Sequence, residues 1–455
     1  MKKTFLGALL FAGTLAFTAC QNETLVYVDE NGNPIENAEL QEGEGILKIT
    51  VSSTDATSRA VRPVGSSAAA NNVSEVKVYV FKKAGTSNGN ADYTFDNSIS
   101  LSNELDGVSG GNGIFTVTGL EPVDDHANPS MENHTDQTKI LTLKGLSKST
   151  TYKFVAVGYN GTTYPYGTLP APTGETTLEN FIQTTTTTKS DYEVEELFAG
   201  VSADCTTNPD KAAFNGEASV TITRQVAGML GYFKNIPTKI GEAVVKYVRV
   251  YANKEFTKFK FPAQLLTAPD FNGVDANITA DKEGKFLVME FDISAIATNW
   301  NGGTPTGSTY TFENWTNGKL GGSTKAPLAT GYTAPEGLKL VENSIFGGRY
   351  LIPYDQHVDS QTLTVELQDE NGKALKTLNV VTDKQTTPSD GTKNAYDIRC
   401  NNFYSIGKKL DTDSTDGGDP NPEDPDEPVD LSGNTDIKVI VNDAWKVLHN
   451  MGVEE

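Results

Sequence analysis

Basic residues are scarce in this chain. Against 59 Asp and Glu stand 37 Lys and Arg, a formal net charge of −22 over 455 residues. That balance argues against nucleic acid as a partner and against adhesion through a polybasic membrane patch, because both need a cationic face. Cysteine is almost absent, with only Cys20, Cys205 and Cys400. The last two are either one disulfide of an exported protein or two separate thiols. Long stretches of helical periodicity are missing, and past the N-terminus no run is apolar enough to span a bilayer. Catalytic constellations are missing as well. Gly107-Val108-Ser109-Gly110-Gly111 matches the spacing of a nucleophile elbow, but a β-like run follows it where that motif needs a helix. His126 and His134 sit among Asp124, Asp125 and Asp136 without a ligand spacing. Asp411, Asp413 and Asp416 lack the closing Glu of a calcium loop. We therefore expect no enzyme activity, no cofactor and no metal.

What is present begins with Lys2 and Lys3, an apolar run from Phe5 to Phe17, and Thr18-Ala19-Cys20. A basic start, a short apolar middle and small residues before a break make residues 1–19 a secretory signal, too short for a stable span. The Cys directly after the small pair makes it similar to a bacterial lipoprotein signal. In such signals the cysteine, here Cys20, is lipidated and becomes the new N-terminus. Phe17 stands where Leu is commoner. Next, Gly45 to Ser53 forms a short strand with Leu47, Ile49 and Val51 on one face and Ile46 beside them. From Lys48 to Lys77 the only basic residues between are Arg59 and Arg62, and Pro63 protects the bond after Arg62. Arg59-Ala60 is thus the one good Arg-specific cut site in a segment of loop composition, where nicking concentrates. A solvated loop arginine is the plainer alternative.

The body reads as strand after strand. Val73 to Lys83 alternates at Val76, Val78 and Val80, and further runs follow at Gly113, Thr138, Thr151, Ser219, Glu242, Lys285, Gly348 and Tyr396. Asp369-Glu370-Asn371-Gly372 is the turn of a hairpin. Strands at this spacing predict an all-β protein of two consecutive β-sandwiches with a boundary near residue 215. Asp411 to Asp430 then carries four prolines and no Lys or Arg, with an acid at almost every second position. Such a run behaves as an extended tether. Beyond it, Ile437, Val439, Val441, Trp445 and Val447 alternate with Lys438, Asn442 and Lys446, the period of a half-buried strand. Isolated by the tether, this strand is expected to serve a neighbouring molecule and not its own sandwich.

Taken in order, these pieces resemble the fimbrillins, the shaft-forming type V pilins of Gram-negative gut and oral bacteria. The resemblance runs nearly the full length. It rests on the lipoprotein signal, GILKITVS followed by TSRA and VSEVKVYVF, then EELFAG, ITRQVAGML, IRCNNFYSIGKKL, the Asp/Pro linker and a final strand carrying a Trp. It implies two transthyretin-like β-sandwich domains with a tethered C-terminal donor strand. The order is signal 1–19, propeptide 20–59, sandwiches 60–215 and 216–410, linker 411–435 and donor 436–455. It further implies cleavage after Arg59 by an Arg-specific surface protease, leaving Ala60 as the first residue and removing the strand Ile46 to Val51. The donor Ile437 to Val447 of another subunit would then fill the groove. The partners implied are copies of itself or related fimbrial subunits, the lipoprotein-processing machinery and that protease, with a lipid anchor to the outer membrane before maturation. The insert Asn301 to Glu336 matches none of these patterns. Two function classes follow: a fimbrial subunit polymerising by strand exchange and supporting adhesion, or a monomeric outer-membrane lipoprotein that binds a glycan or host ligand. A tip or accessory fimbrial subunit is a variant of the first.

Overall fold

Alternation of β-branched and polar residues leaves most of this chain one stable option, the half-buried strand, and strands dominate the computed structural model. It describes residues 40–51, 73–86, 89–102, 107–122, 137–159, 161–182, 185–187, 197–255, 258–260, 282–293, 297–298, 311–312, 318–320, 344–352, 362–382, 403–407, 428–433 and 437–442, with two short pieces at 27–28 and 34–35.

The principal strands of the first unit are β1 (Glu44–Val51), β2 (Glu75–Lys83), β3 (Ile114–Thr118), β4 (Gln137–Lys144), β5 (Thr151–Tyr159), β6 (Leu197–Val201) and β7 (Ala218–Arg224), with shorter strands at its edges. Their order across the sheet is β4–β1–β7–β6–β5–β2–β3. Neighbours are antiparallel except β1 and β7, which run parallel. β7 changes partner along its length. Ala218–Ile222 pairs with β1, and Thr223 and Arg224 pair with β6. A strand that switches partners in this way folds one ribbon into two layers. Leu47, Ile49 and Val51 share the resulting core with Val76, Val78 and Val80.

The principal strands of the second unit are β8 (Ala227–Lys234), β9 (Tyr247–Glu255), β10 (Lys282–Asp292), β11 (Ser344–Leu351), β12 (Leu363–Gln368), β13 (Ala374–Thr382), β14 (Phe403–Ile406) and β15 (Ile437–Asn442). The order is β11–β8–β14–β15–β13–β12–β9–β10. Adding seven to each strand of the first unit reproduces this order, with β15 as the one insertion. The parallel pair recurs in the corresponding place, β8 with β14. Among these principal strands the two units share one strand order.

Two expected boundaries move. β7 belongs to the first sheet, so the units divide at Gln225 and Val226, not near 215. The run from Ser219 to Ile236 hides the break because Val226 at the junction is as apolar as the strands around it and fully buried. The tether is also shorter than expected. Val429 and Asp430 pair with the end of β8, at Phe233 and Lys234, and Leu431 is fully buried. The Lys376 ammonium donates to the carbonyls of Leu431, Ser432 and Gly433.

Turn chemistry holds where the sequence places it. Asp369 Oδ1 accepts from the amides of Asn371 and Lys373 at 2.9 Å, and Gly372 sits at φ +75°, closing the β12–β13 hairpin. Val108–Gly111 is itself a strand, returning through Asn112 and Gly113 (φ +52° and +76°) into β3, so Ser109 sits on no elbow. Cys205 is a buried free thiol beside Ser202 and Ala203, and burial raises its pKa. Cys400 and the His126–His134 loop lie outside the described residues, as does most of the 301–336 insert.

Candidate functional site

β1 is the first strand of its unit, yet it lies in the interior of the sheet. β4 flanks it over its whole length, Glu44–Val51 against Lys144–Gln137, and β7 flanks it from Leu47 to Val51. Parallel β1 and β7 are separated by most of the unit's sequence, so only tertiary folding brings these walls together. Ile46 is 4% exposed, and Leu47, Ile49 and Val51 are fully buried. Burying four such side chains stabilises the unit by on the order of 6–12 kcal/mol. Among the outward residues, Lys48 reaches Glu217, with Nζ 3.5 Å from Oε1.

Lifting β1 out leaves a slot with unpaired backbone on both sides, β4 and β7. Leu141 and Leu143 line it from β4, and Ala218, Val220 and Ile222 from β7. Near its N-terminal end the slot narrows. A Cβ at Gly45 would lie 2.5 Å from Leu146 Cδ1 and 2.7 Å from Phe214 Cδ2. An apolar slot with two open edges is a template for an added strand.

The C-terminal strand is the second half of the site, and here the expectation needs correction. β15 is seated in its own unit, between β13 and β14. Val380–Thr382 pairs in parallel with Ile437–Val439, and Phe403–Ile406 pairs antiparallel with Asn442–Val439. Ile437 is 2% exposed and joins the core of the second sandwich. The acidic tether does not isolate this strand, because Leu431 and the Lys376 contacts fasten the chain close to β13. Val441 pairs with Tyr404. Trp445 and Val447 lie outside the described residues, as do Cys20, Arg59 and Ala60.

The shared strand order shows what β15 does. In the first unit the seam corresponding to β13/β14 is β6/β7, and it is closed by direct pairing of Phe198 with Arg224 and Ala199 with Thr223. Gly200, the glycine of EELFAG, allows that approach, since a Cβ there would overlap the carbonyl oxygen of Thr221. Gln225 locks the seam, its Nε2 donating to the carbonyls of Thr223 at 2.8 Å and Ala199 at 3.1 Å. In the second unit β15 occupies the seam instead. Sequence reasoning missed β4, β7, Glu217 and Leu431 as parts of the site. Val429 and Leu431, apolar residues at the end of the acidic run, were the local signal for the last of these.

No protein-family profile and no curated protein matches the sequence. Solved structures do. A candidate cell adhesion protein from Bacteroides eggerthii DSM 20697 aligns over 88% of this chain and 95% of its own, with TM-score 0.41 and 11% identity. A fimbrial assembly protein from Parabacteroides distasonis ATCC 8503 covers 80% and 91%, at 0.33 and 11%. The fimbrial anchor protein Mfa2 from Porphyromonas gingivalis covers 89% and 98%, at 0.33 and 10%. Fimbrial and adhesion proteins are what this chain is similar to. Likeness at this level carries no argument about activity.

Proposed function

We propose that this chain is a structural fimbrial subunit, exported as a lipoprotein on Cys20, cut after Arg59 and polymerised at the cell surface by strand exchange. One observation carries the reading: β1, the strand ahead of the Arg59 site, is an interior strand. Cutting at Arg59-Ala60 severs it from the rest of its unit and frees it to leave a lined slot. β15 is the strand that fills the slot of the next copy. The ladders favour transfer. In its own seam β15 pairs with β13 over Ile437–Val439 and with β14 over Val439–Asn442, so only Val439 has both neighbours, whereas a strand at the Leu47–Val51 positions of the β1 slot has β4 on one side and β7 on the other at every residue. A head-to-tail contact of this kind does not close, and it builds a filament.

The self-seated β15 favours a second reading, a closed monomer that keeps its lipid anchor and acts as a surface binding protein or a terminal subunit. N-terminal sequencing of the surface-exposed protein, together with its size on a non-boiled gel, separates the two. A subunit starts at Ala60 and runs as a ladder of oligomers. A start at lipid-blocked Cys20 with a single monomer band would overturn the strand-exchange reading.

A further inference from the structure

β1 and β15 share a residue pattern. Leu47-Lys48-Ile49-Thr50-Val51-Ser52 and Ile437-Lys438-Val439-Ile440-Val441-Asn442 both read apolar, Lys, β-branched, variable, Val, small polar. From this pattern and the shape of the β1 slot, we infer that β15 enters a second copy in one register only. Ile437 takes the place of Leu47, Val439 that of Ile49 and Val441 that of Val51, so that Lys438 replaces Lys48 opposite Glu217 of the second copy. This rests on the strand-exchange reading and adds to it the residue-level contact that sets alignment and partner choice.

The slot rejects the alternatives. A shift by one residue turns every side chain to the other face and drives Lys438 into the core, where an unpaired ammonium is heavily penalised. A shift by two in one direction places Ile437 where Gly45 stands, against Leu146 and Phe214, which would have to move to admit even a Cβ. The chain ahead of Ile437 therefore leaves the slot at that end. A shift by two the other way puts polar Thr435 in the Leu47 position and carries Val441 past the end of the β1 ladder, which stops at Val51. β2 also carries Val76-Lys77-Val78-Tyr79-Val80, but it is fixed inside the sheet between β5 and β3 and continues into its unit at both ends. It cannot be donated.

Opposite Lys48 on β7 stands Ser219, and opposite Thr50 stands Thr221. Both are exposed. The full chain is expressed in cells that assemble it, with Lys438→Cys combined with either Ser219→Cys or Thr221→Cys. A short thiol cross-linker is applied to the isolated surface polymers, and single-cysteine variants set the background of the native thiols. The expected result is covalent dimers and higher ladders from the Ser219 pair at several times the yield of the Thr221 pair. Preferential cross-linking of Lys438→Cys to Thr221→Cys would overturn the register and leave strand exchange standing. Polymers with neither cross-link would overturn the register as well, and if they also persist after deletion of residues 437–442 they overturn strand exchange itself. In a second arm, Lys438→Glu should lower polymer yield per trimmed subunit by about two- to fivefold, the range of an exposed ion pair, and Glu217→Lys should restore it. Failure of that rescue while the Ser219 cross-link persists would remove Glu217 as the partner of Lys438.

Discussion

At the scale of single residues, the first unit is held by polar groups that burial has made unforgiving. Tyr159 donates to Glu75 Oε1 at 2.5 Å, and Lys77 lies 3.0 Å from the same oxygen. Tyr159 is 2% exposed. Burial, then the Glu75 hydrogen bond and charge, push its phenol well above the ordinary tyrosine range; burial does the same to Tyr79. The folded state therefore holds these protons more tightly than the unfolded chain. Their contribution is complete below the unfolded tyrosine value of about 10 and is lost as pH rises above it towards the folded value. Melting temperature should thus be flat from neutral pH to about 9.5 and fall steeply beyond. Tyr159→Phe should flatten that fall. At neutral pH it should destabilise by about 1 kcal/mol, because the Glu75 carboxylate loses the Tyr159 hydrogen bond but keeps Lys77. Thermal melts of both proteins across pH check this, and an alkaline limb unchanged in the variant would remove Tyr159 as its cause.

At the scale of elements, β15 behaves differently from what its composition and tether suggested. A strand of β-branched residues beyond an acidic, proline-rich run reads as detached, because sequence shows the tether and not the seam. The seam exists only because β13 and β14 stand far enough apart for a strand between them, while their counterparts β6 and β7 touch at Gly200. Deleting residues 437–455 should therefore lower the melting temperature of the untrimmed chain, and not leave it unchanged as a detached donor would. Loss of the Ile437 burial alone, about 1.5–3 kcal/mol, corresponds to roughly 3–12 °C for a unit of about 200 residues unfolding by itself. The same deletion should abolish polymers after trimming. A melting temperature equal to that of the intact chain, measured by calorimetry, would show that β15 contributes nothing to its own unit. By contrast β1 was legible as a strand and as a buried one, because strict alternation at Leu47, Ile49 and Val51 already marks a core face. Its interior position was not legible. Pairing order depends on β4 and β7, which lie far along the chain.

At the scale of the whole molecule, two units of one strand order are arranged so that each end of the chain supplies an interior strand, β1 in the first unit and β15 in the second. A continuous apolar cluster joins the units, from Tyr79, Phe81 and Phe181 in the first to Met229, Phe233 and Phe291 in the second. In the strand-exchange reading proposed above, the strand near one end is the one removed and the strand near the other is the one donated. Arg59→Ala should accordingly give a stable full-length protein that makes no oligomer ladder, since β1 keeps its slot filled. Arg62→Ala should leave assembly intact, because Pro63 already protects that bond. Ladders from the Arg59 variant on a non-boiled gel would place the cut elsewhere or show that no cut is required.

The amino-acid sequence by itself determined the all-β class, the strand faces, the hairpin at Asp369–Gly372 and the expectation of two sandwiches. Each follows from local rules: side-chain alternation with period two, and turn residues that set the backbone. Tertiary structure decided which strands are neighbours. It put β1 between β4 and β7, carried β7 across to β6, moved the division between the units to Gln225, and placed β15 in the β13/β14 seam. The physical reason is that a strand's pattern fixes which face it buries, while its hydrogen-bonding edges are satisfied by any backbone of suitable register. Only the packing of the complete sheet selects which backbone that is.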